Sequence, residues 1–315
     1  MAKSFIKRRR NDLVYAVLLC LFLASKHIPR KVGLLIAGCV GRIAFLVPTR
    51  DKKRTIRHLT RFYSKTWSEK KIKRVAAQVY VNAGKNLFDA IYLSGCSDET
   101  FNKIVRHDDL TPMKMAYDAG KGVVAVTSHS GCYEMNIHMV ARKGLKCVTI
   151  GQKLFDKRID RLITRTRQRN NITYLYRDNS SREALRLLRK GALLGVLLDQ
   201  DTYGEGVFAN FLGVPAFTLS GPIRMAMRYD LPLFVGYSAR QKDDTHYVYL
   251  KGPLELENTG DFDRDLVMNV EQVNAFLSKG VLDFPEQWVW MHRRWKRKPE
   301  KEREMLNSKD YVNKT

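Results

Sequence analysis

Apolar positions follow two rhythms along the 315 residues, and the change between them divides the chain. Near the amino end, residues 13–24 are twelve in a row without a charge, and 32–47 form a second apolar stretch in which only Arg42 is charged. Over 50–74 apolar groups recur at Ile56, Leu59, Phe62, Tyr63 and Trp67, the spacing of a helix with one apolar face. A second helical pattern at 75–93 is broken by Ser97-Asp98-Glu99-Thr100. Strand-like runs then appear at 122–127, 146–150, 172–176, 193–198 and 232–237, with helical runs at 132–143, 156–169 and 181–190 between them. This alternation predicts an α/β fold: a mostly parallel central sheet flanked by helices, behind an N-terminal membrane-anchoring helical segment. Three regions follow: an anchor at 1–48, an α/β domain at 49–297 that opens with basic helices, and a solvated tail at 298–315 rich in Lys and Glu.

Charge changes this picture most. With 56 Lys and Arg against 32 Asp and Glu the net charge is +24, a surface that suits nucleic acid, an anionic bilayer or an acidic protein. Eleven of these cations lie between Arg50 and Arg74 against two acids, so a basic amphipathic helix follows directly on the apolar stretches and would lie on a membrane surface. Lys7-Arg8-Arg9-Arg10 before residues 13–24 resembles the start of a secretory signal, but no small-x-small cleavage site follows. Twelve residues are also short of the roughly twenty a spanning helix needs. The two apolar stretches therefore predict either a tilted helix or two interfacial segments, their basic flank on cytoplasmic head groups. A buried hairpin of a soluble domain is the alternative. Five scattered cysteines, without a CxxC pair or a Cys/His cluster at zinc spacing, predict a reduced, cytoplasm-facing chain with no metal site.

The candidate chemistry sits where strands end. The run Val123 to Thr127 stops at Ser128, His129 follows, and Glu134 lies five positions on at the start of a helical stretch. A His–acid pair at the carboxyl end of a sheet strand suits general base catalysis. A capping His with a surface Glu is the plainer alternative. Cys132 between them fits packing better than nucleophilic attack. After the 193–198 strand, Asp199-Gln200-Asp201 again falls on the ligand-bearing edge; two carboxylates around an amide could hold an arginine, a substrate hydroxyl or, least suitably, a metal. Backbone N–H groups at the start of the 222–229 helix could hold a phosphate or a thioester oxygen, although capping accounts for its hydroxyls equally well. Residues 285–297 interleave Trp288, Trp290 and Trp295 with His292, Arg293, Arg294, Lys296 and Arg297. Such a segment could stack bases, place indoles at a lipid interface, or simply pack.

Taken in order, His129-x4-Glu134, Arg167, Asp199-Gln200-Asp201, Phe208 with Phe211-Leu212-Gly213-Val214-Pro215-Ala216, and 285–295 resemble the bacterial lipid A acyltransferase family, related more distantly to glycerol-phosphate acyltransferases with an HX4D/E motif. The resemblance covers nearly the whole chain. It implies a membrane-associated O-acyltransferase on the cytoplasmic face of the inner membrane, moving a fatty acyl chain from acyl carrier protein, or acyl-CoA, to a hydroxyl of a lipid A precursor or a related anionic lipid. It implies His129 as base with Glu134 as partner, and Arg167 with Asp199 bracing the acceptor site beside Gln200 and Asp201. No cofactor is implied, and nucleic acid is not an expected partner. Ser-Gly-Cys-Tyr between His129 and Glu134, and the absence of a glycine near Asn170-Asn171, depart from the family pattern. Two rival readings are a basic nucleic-acid-binding protein, which would bind nucleic acid salt-sensitively without lipid, and a noncatalytic membrane scaffold of the same fold.

Overall fold

The computed structural model describes residues 2–25, 27–154, 156–177 and 180–300, so most of the 298–315 tail lies outside the described residues. Four helices come first: α1 (Ala2–Ala24), α2 (Arg30–Leu46), α3 (Arg50–Tyr63) and α4 (Glu69–Gly95). The alternating part runs α5 (Asp98–Ile104), β1 (Val105–His107), α6 (Thr111–Asp118), β2 (Val123–Thr127), α7 (Glu134–Arg142), β3 (Cys147–Gly151), α8 (Lys157–Arg167), β4 (Thr173–Tyr176), α9 (Ser180–Leu188) and β5 (Leu193–Leu197). A hairpin of β6 (Gly206–Phe211) and β7 (Val214–Leu219) follows, then α10 (Gly221–Tyr229), β8 (Leu233–Arg240), β9 (His246–Lys251), α11 (Phe262–Asp283) and a 3-10 turn at Pro285–Gln287.

The main sheet has seven strands in the order β1-β9-β8-β2-β5-β3-β4, parallel except where β8 meets β9. The five strand-like runs of the sequence are β2, β3, β4, β5 and β8. The β6–β7 hairpin was not foreseen: Leu212 and Gly213 both take positive φ, the two-residue loop that lets antiparallel strands turn back with matching twist. The helical stripe placed at 50–74 is broken by Ser64–Ser68, where Ser68 caps α4 by accepting from Lys71 N. Beyond that cap α4 runs unbroken through the boundary expected at 75.

The amino-terminal segment is two helices, and α2 is fastened to the domain. Gly33, Ala37 and Gly41 form a stripe of small residues along α2, facing Gly84 and Phe88 of α4. A Cβ at Gly41 would stand 2.2 Å from the Tyr80 carbonyl oxygen, and one at Gly84 would stand 2.2 Å from that of Ala37. Among the described residues no single helix is long and apolar enough to cross a membrane.

A buried ion cluster locks the same junction. Asp89 of α4, fully buried, accepts from Arg30 Nε and Nη2 at 2.8 Å, from His246 Nε2 at 2.9 Å, and pairs with Arg240 at 2.8 Å. Burial alone would raise its pKa, but hydrogen bonds from His246 and Arg30 and the charge of Arg240 hold the carboxyl well below the usual range. Burial pushes His246 down to about 4, and does the same to His138 and His292. Unfolded histidines titrate near 6.5, so between pH 6.5 and 4 the unfolded chain binds more protons than the folded one and stability falls as pH drops through that window. We therefore expect the thermal midpoint, followed by intrinsic tryptophan fluorescence, to decline steadily from pH 6.5 to 4. A flat profile there would contradict the burial of neutral histidines.

Candidate active site

Register brings the central pair together. β2 and β5 are parallel with Thr127 beside Leu197, so the residues two positions beyond each, His129 and Asp199, emerge side by side at the carboxyl edge of the sheet. The turn between β2 and α7 is held against β8: Gly131, at φ +56, lies so close that a Cβ would meet the Ser238 carbonyl oxygen at 2.4 Å. Ser238 Oγ donates to the Ser130 carbonyl at 3.0 Å, and Gly131 N donates to Gln287 O at 3.0 Å.

His129 Nδ1 stands 2.6 Å from Asp199 Oδ1, and its backbone N–H donates to Oδ2 at 2.8 Å. Trp288 Nε1 donates to the same Oδ2 at 2.7 Å. Burial would raise the Asp199 pKa, but the His129 imidazole and these donors outweigh it and hold it at about 2. An ionised Asp199 takes the Nδ1–H, fixes the tautomer and leaves Nε2 with a lone pair. Tyr133 sets its ring edge-on to the imidazole at 4.7 Å, and His292 lies 5.6 Å away on an amide hydrogen bond with Gln200.

Glu134 is placed otherwise than its spacing suggested. Its carboxylate receives Arg167 Nε at 2.9 Å and Arg167 Nη2 in a two-pronged ion pair, and Arg167 Nη1 donates to Tyr174 OH at 3.0 Å. Burial favours its neutral form, but the charge and hydrogen bonds of Arg167 prevail and keep it ionised. The carboxylate bonded to His129 is therefore Asp199, seventy residues away, not Glu134. The reason is geometric: Glu134 opens α7 and leans toward α8, whereas Asp199 leaves the neighbouring strand level with the histidine.

Three further candidates have partners or surroundings of their own. Asp201, whose side chain is 2 % exposed, is taken up by Arg297 Nε at 2.6 Å and Arg297 N at 2.7 Å, so it braces the carboxyl-terminal segment instead of facing a substrate. Burial pushes the Cys132 thiol up, out of reach of thiolate chemistry at neutral pH. Of the readings open for 285–297, packing holds for Trp288, Trp290 and Arg294, each 1 % exposed or less. Sequence reasoning missed Trp288 as part of the site; its signal was an indole N–H donor within a segment too apolar to be wholly on the surface.

His129, Glu134 and Arg167 border a cavity of about 330 Å³ between α4, α8 and the site, walled by Val79, Ala83, Leu87, Ile91, Leu162 and Ile163. A few polar groups thus share a mostly apolar chamber, an arrangement suited to a long hydrocarbon with a reactive head. Trp288→Phe removes the indole donor and part of a buried ring; we expect kcat to fall about tenfold, the effect of one charge-assisted hydrogen bond, and the thermal midpoint to drop with the void left behind. An unchanged kcat would show that the indole only packs.

The sequence carries the same message independently. Residues 4–297 match the model of the bacterial lipid A biosynthesis acyltransferase family. A lipid A biosynthesis acyltransferase of Haemophilus influenzae is 22 % identical over 257 residues, covering 80 % of this chain and 78 % of that protein. With nearly the whole chain matched, from α1 through the segment that holds Asp199 and Asp201, the protein belongs to the bacterial lipid A biosynthesis acyltransferase family and is an acyltransferase.

Proposed function

We propose that the protein transfers a fatty acyl chain from an acyl carrier protein thioester to a hydroxyl of a lipid A precursor at the cytoplasmic face of the inner membrane, with His129 as the general base. The observation that carries this reading is an imidazole oriented by a buried carboxylate on the wall of a mostly apolar cavity. A lipid hydroxyl is a poor nucleophile until its proton is taken at the moment of attack. His129 Nε2 takes that proton as the hydroxyl oxygen bonds to the thioester carbon. The resulting imidazolium is stabilised by Asp199, and the tetrahedral intermediate collapses with expulsion of the thiolate, which receives the proton from Nε2. No covalent enzyme intermediate is needed, and Cys132 is buried with its thiol pushed up.

Glu134 and Arg167 serve the acceptor in this scheme. Their ion pair lies at the cavity wall beside His129, where it can orient a hydroxyl and present a cationic edge to a lipid phosphate. The apolar walls take a hydrocarbon chain at about 0.8 kcal/mol per buried methylene. Positive charge on the surface suits both an acidic carrier protein and an anionic leaflet. To test the reading, the purified full chain is incubated in detergent micelles with acyl carrier protein thioester and a lipid A precursor, and the lipid is weighed by mass spectrometry. One added acyl group is expected. No mass change with this donor, or with acyl-CoA in its place, would overturn it.

A further inference from the structure

We propose that α1 and α2 lie within one leaflet of the bilayer, roofing the cavity so that the acceptor lipid enters it sideways from the membrane. This rests on the acyltransferase reading for the identity of the lipid, but the docking geometry is argued from the surface alone. The outward side of α2 presents Leu35 (67 % exposed), Ile36, Val40, Ile43 (63 %) and Leu46 (67 %), directly opposite the glycine stripe that seats the helix on α4. Such a contiguous apolar surface marks a partner. With 17 residues α2 reaches about 25 Å, short of the roughly 30 Å hydrocarbon core, and its inner side is occupied by α4 along its length. An apolar side too short to cross and edged by cations is that of a helix lying in an interface.

The rim identifies the partner as an anionic bilayer. Lys31, Arg42, Arg50, Lys53 and Arg57 are exposed around the apolar face; the acid among them, Asp51, is paired with Arg54 at 2.9 Å. This is the charge pattern of a helix held at head-group level.

Continuity with the cavity carries the second half of the proposal. On α4 the exposed residues Ala83 and Leu87 fall between the stripe that contacts α2 (Gly84, Phe88) and the residues deeper in the cavity (Asn86, Ala90). An apolar strip thus leads from the outer face of α2 to the chamber. Across it lies α1, whose Leu21 packs on the Leu34–Phe88 cluster, whose Leu18 lines the cavity, and whose Asp12 meets Arg158 of α8 at 2.7 Å. Tyr15 lies under the Arg158 guanidinium, 4.7 Å from its ring centroid. Val14, Val17 and Leu23 on the same helix are exposed. The roof over the cavity is therefore itself apolar outward, and a lipid sliding beneath α1 stays in hydrocarbon until its head meets His129.

The test uses the full chain and vesicles of phosphatidylcholine with phosphatidylglycerol. A triple variant, Leu35→Ser, Ile43→Ser and Leu46→Ser, alters exposed positions only. It is expected to keep the wild-type thermal midpoint, to lose flotation with the vesicles, to keep turnover of micelle-dispersed lipid A precursor, and to lose at least tenfold in turnover of the same lipid embedded in vesicles. Separately, a fluorophore on exposed Cys39, with Cys20 and Cys96 replaced by Ser, is expected to be quenched by nitroxide lipids of the outer leaflet. Wild-type flotation and vesicle turnover by the triple variant would overturn the proposal, as would quenching of the Cys39 label by a water-soluble quencher trapped inside the vesicles. If the wild type turns over neither form of the lipid, the reaction proposed above has failed, and flotation and quenching still decide the docking.

Discussion

Replacing His129 with Ala is expected to lower kcat by about 10³ or more, with folding intact. A thousandfold loss is about 4 kcal/mol of transition-state stabilisation, what a single positioned base supplies to attack by an alcohol. The side chain is 17 % exposed and lies at the cavity wall, so truncation leaves space that water can fill, not an apolar void. Asp199→Asn is the sharper companion. Asp199 Oδ1 is 2.6 Å from Nδ1; an amide nitrogen turned toward Nδ1 would reverse the tautomer and place a proton on the nitrogen that must accept one. In Ser-His-Asp hydrolases the same change costs about 10⁴ in kcat. Here the amide must also receive the Trp288 and His129 N–H donors at the other oxygen, which fixes its orientation the unhelpful way round. Steady-state turnover with the carrier-protein thioester, measured beside thermal midpoints, decides the matter: most activity retained in the alanine variant would remove His129 from the mechanism, and in the asparagine variant would remove the orienting role of Asp199. Glu134→Gln is the contrast. It breaks the ion pair with Arg167 while leaving the imidazole bonded to Asp199, so its loss is expected chiefly in KM for the lipid.

Asp89→Ala is expected to destabilise the fold by about 3–5 kcal/mol, the usual result of removing one member of a buried ion pair. Arg30, Arg240 and His246 all converge on this carboxylate, and with His246 fully buried and the Arg240 side chain 4 % exposed they have little water to turn to. The damage would spread toward the site, because Arg240 also donates to Asn86 of the cavity wall and exchanges backbone hydrogen bonds with the Gln287 side chain. Denaturant unfolding is the measurement; a loss under 1 kcal/mol would mean that the three cations find other partners. The effect should be full above the ordinary carboxylate range and shrink as pH falls below it, because there the unfolded carboxyl takes up a proton that the folded one, held well below that range, still refuses.

Much of this was written in local patterns. The five strands are short apolar runs bounded by turn residues, and β2, β5 and β8 are largely buried, as central strands of a parallel sheet must be. His129 was legible because it ends such a run. Its partner was not, because adjacency in a parallel sheet depends on which strands pair and in which register, and that is settled by packing across the whole domain. The Glu134 spacing suggested a pair that helix direction separates. Likewise Asp201 looked free to bind substrate until the chain returned ninety-six residues later with Arg297. The helix α11 does carry a helical period, Leu266, Val270, Val273, Leu277 and Val281, whereas the hairpin at 206–219 was hidden because its apolar side is fixed by packing on that helix and its strands show little alternation when read alone.

Trp288, which holds Asp199 from behind, has a consequence for the order of synthesis. Strands β2 and β5 leave the ribosome long before residues 285–297, yet the carboxylate that orients His129 lacks its indole donor, and Asp201 lacks Arg297, until those residues arrive. A chain cut before Trp288 would keep both strands of the site and still lack the donor behind Asp199 and the partner of Asp201, so the carboxyl-terminal segment completes the centre that the sheet edge only begins.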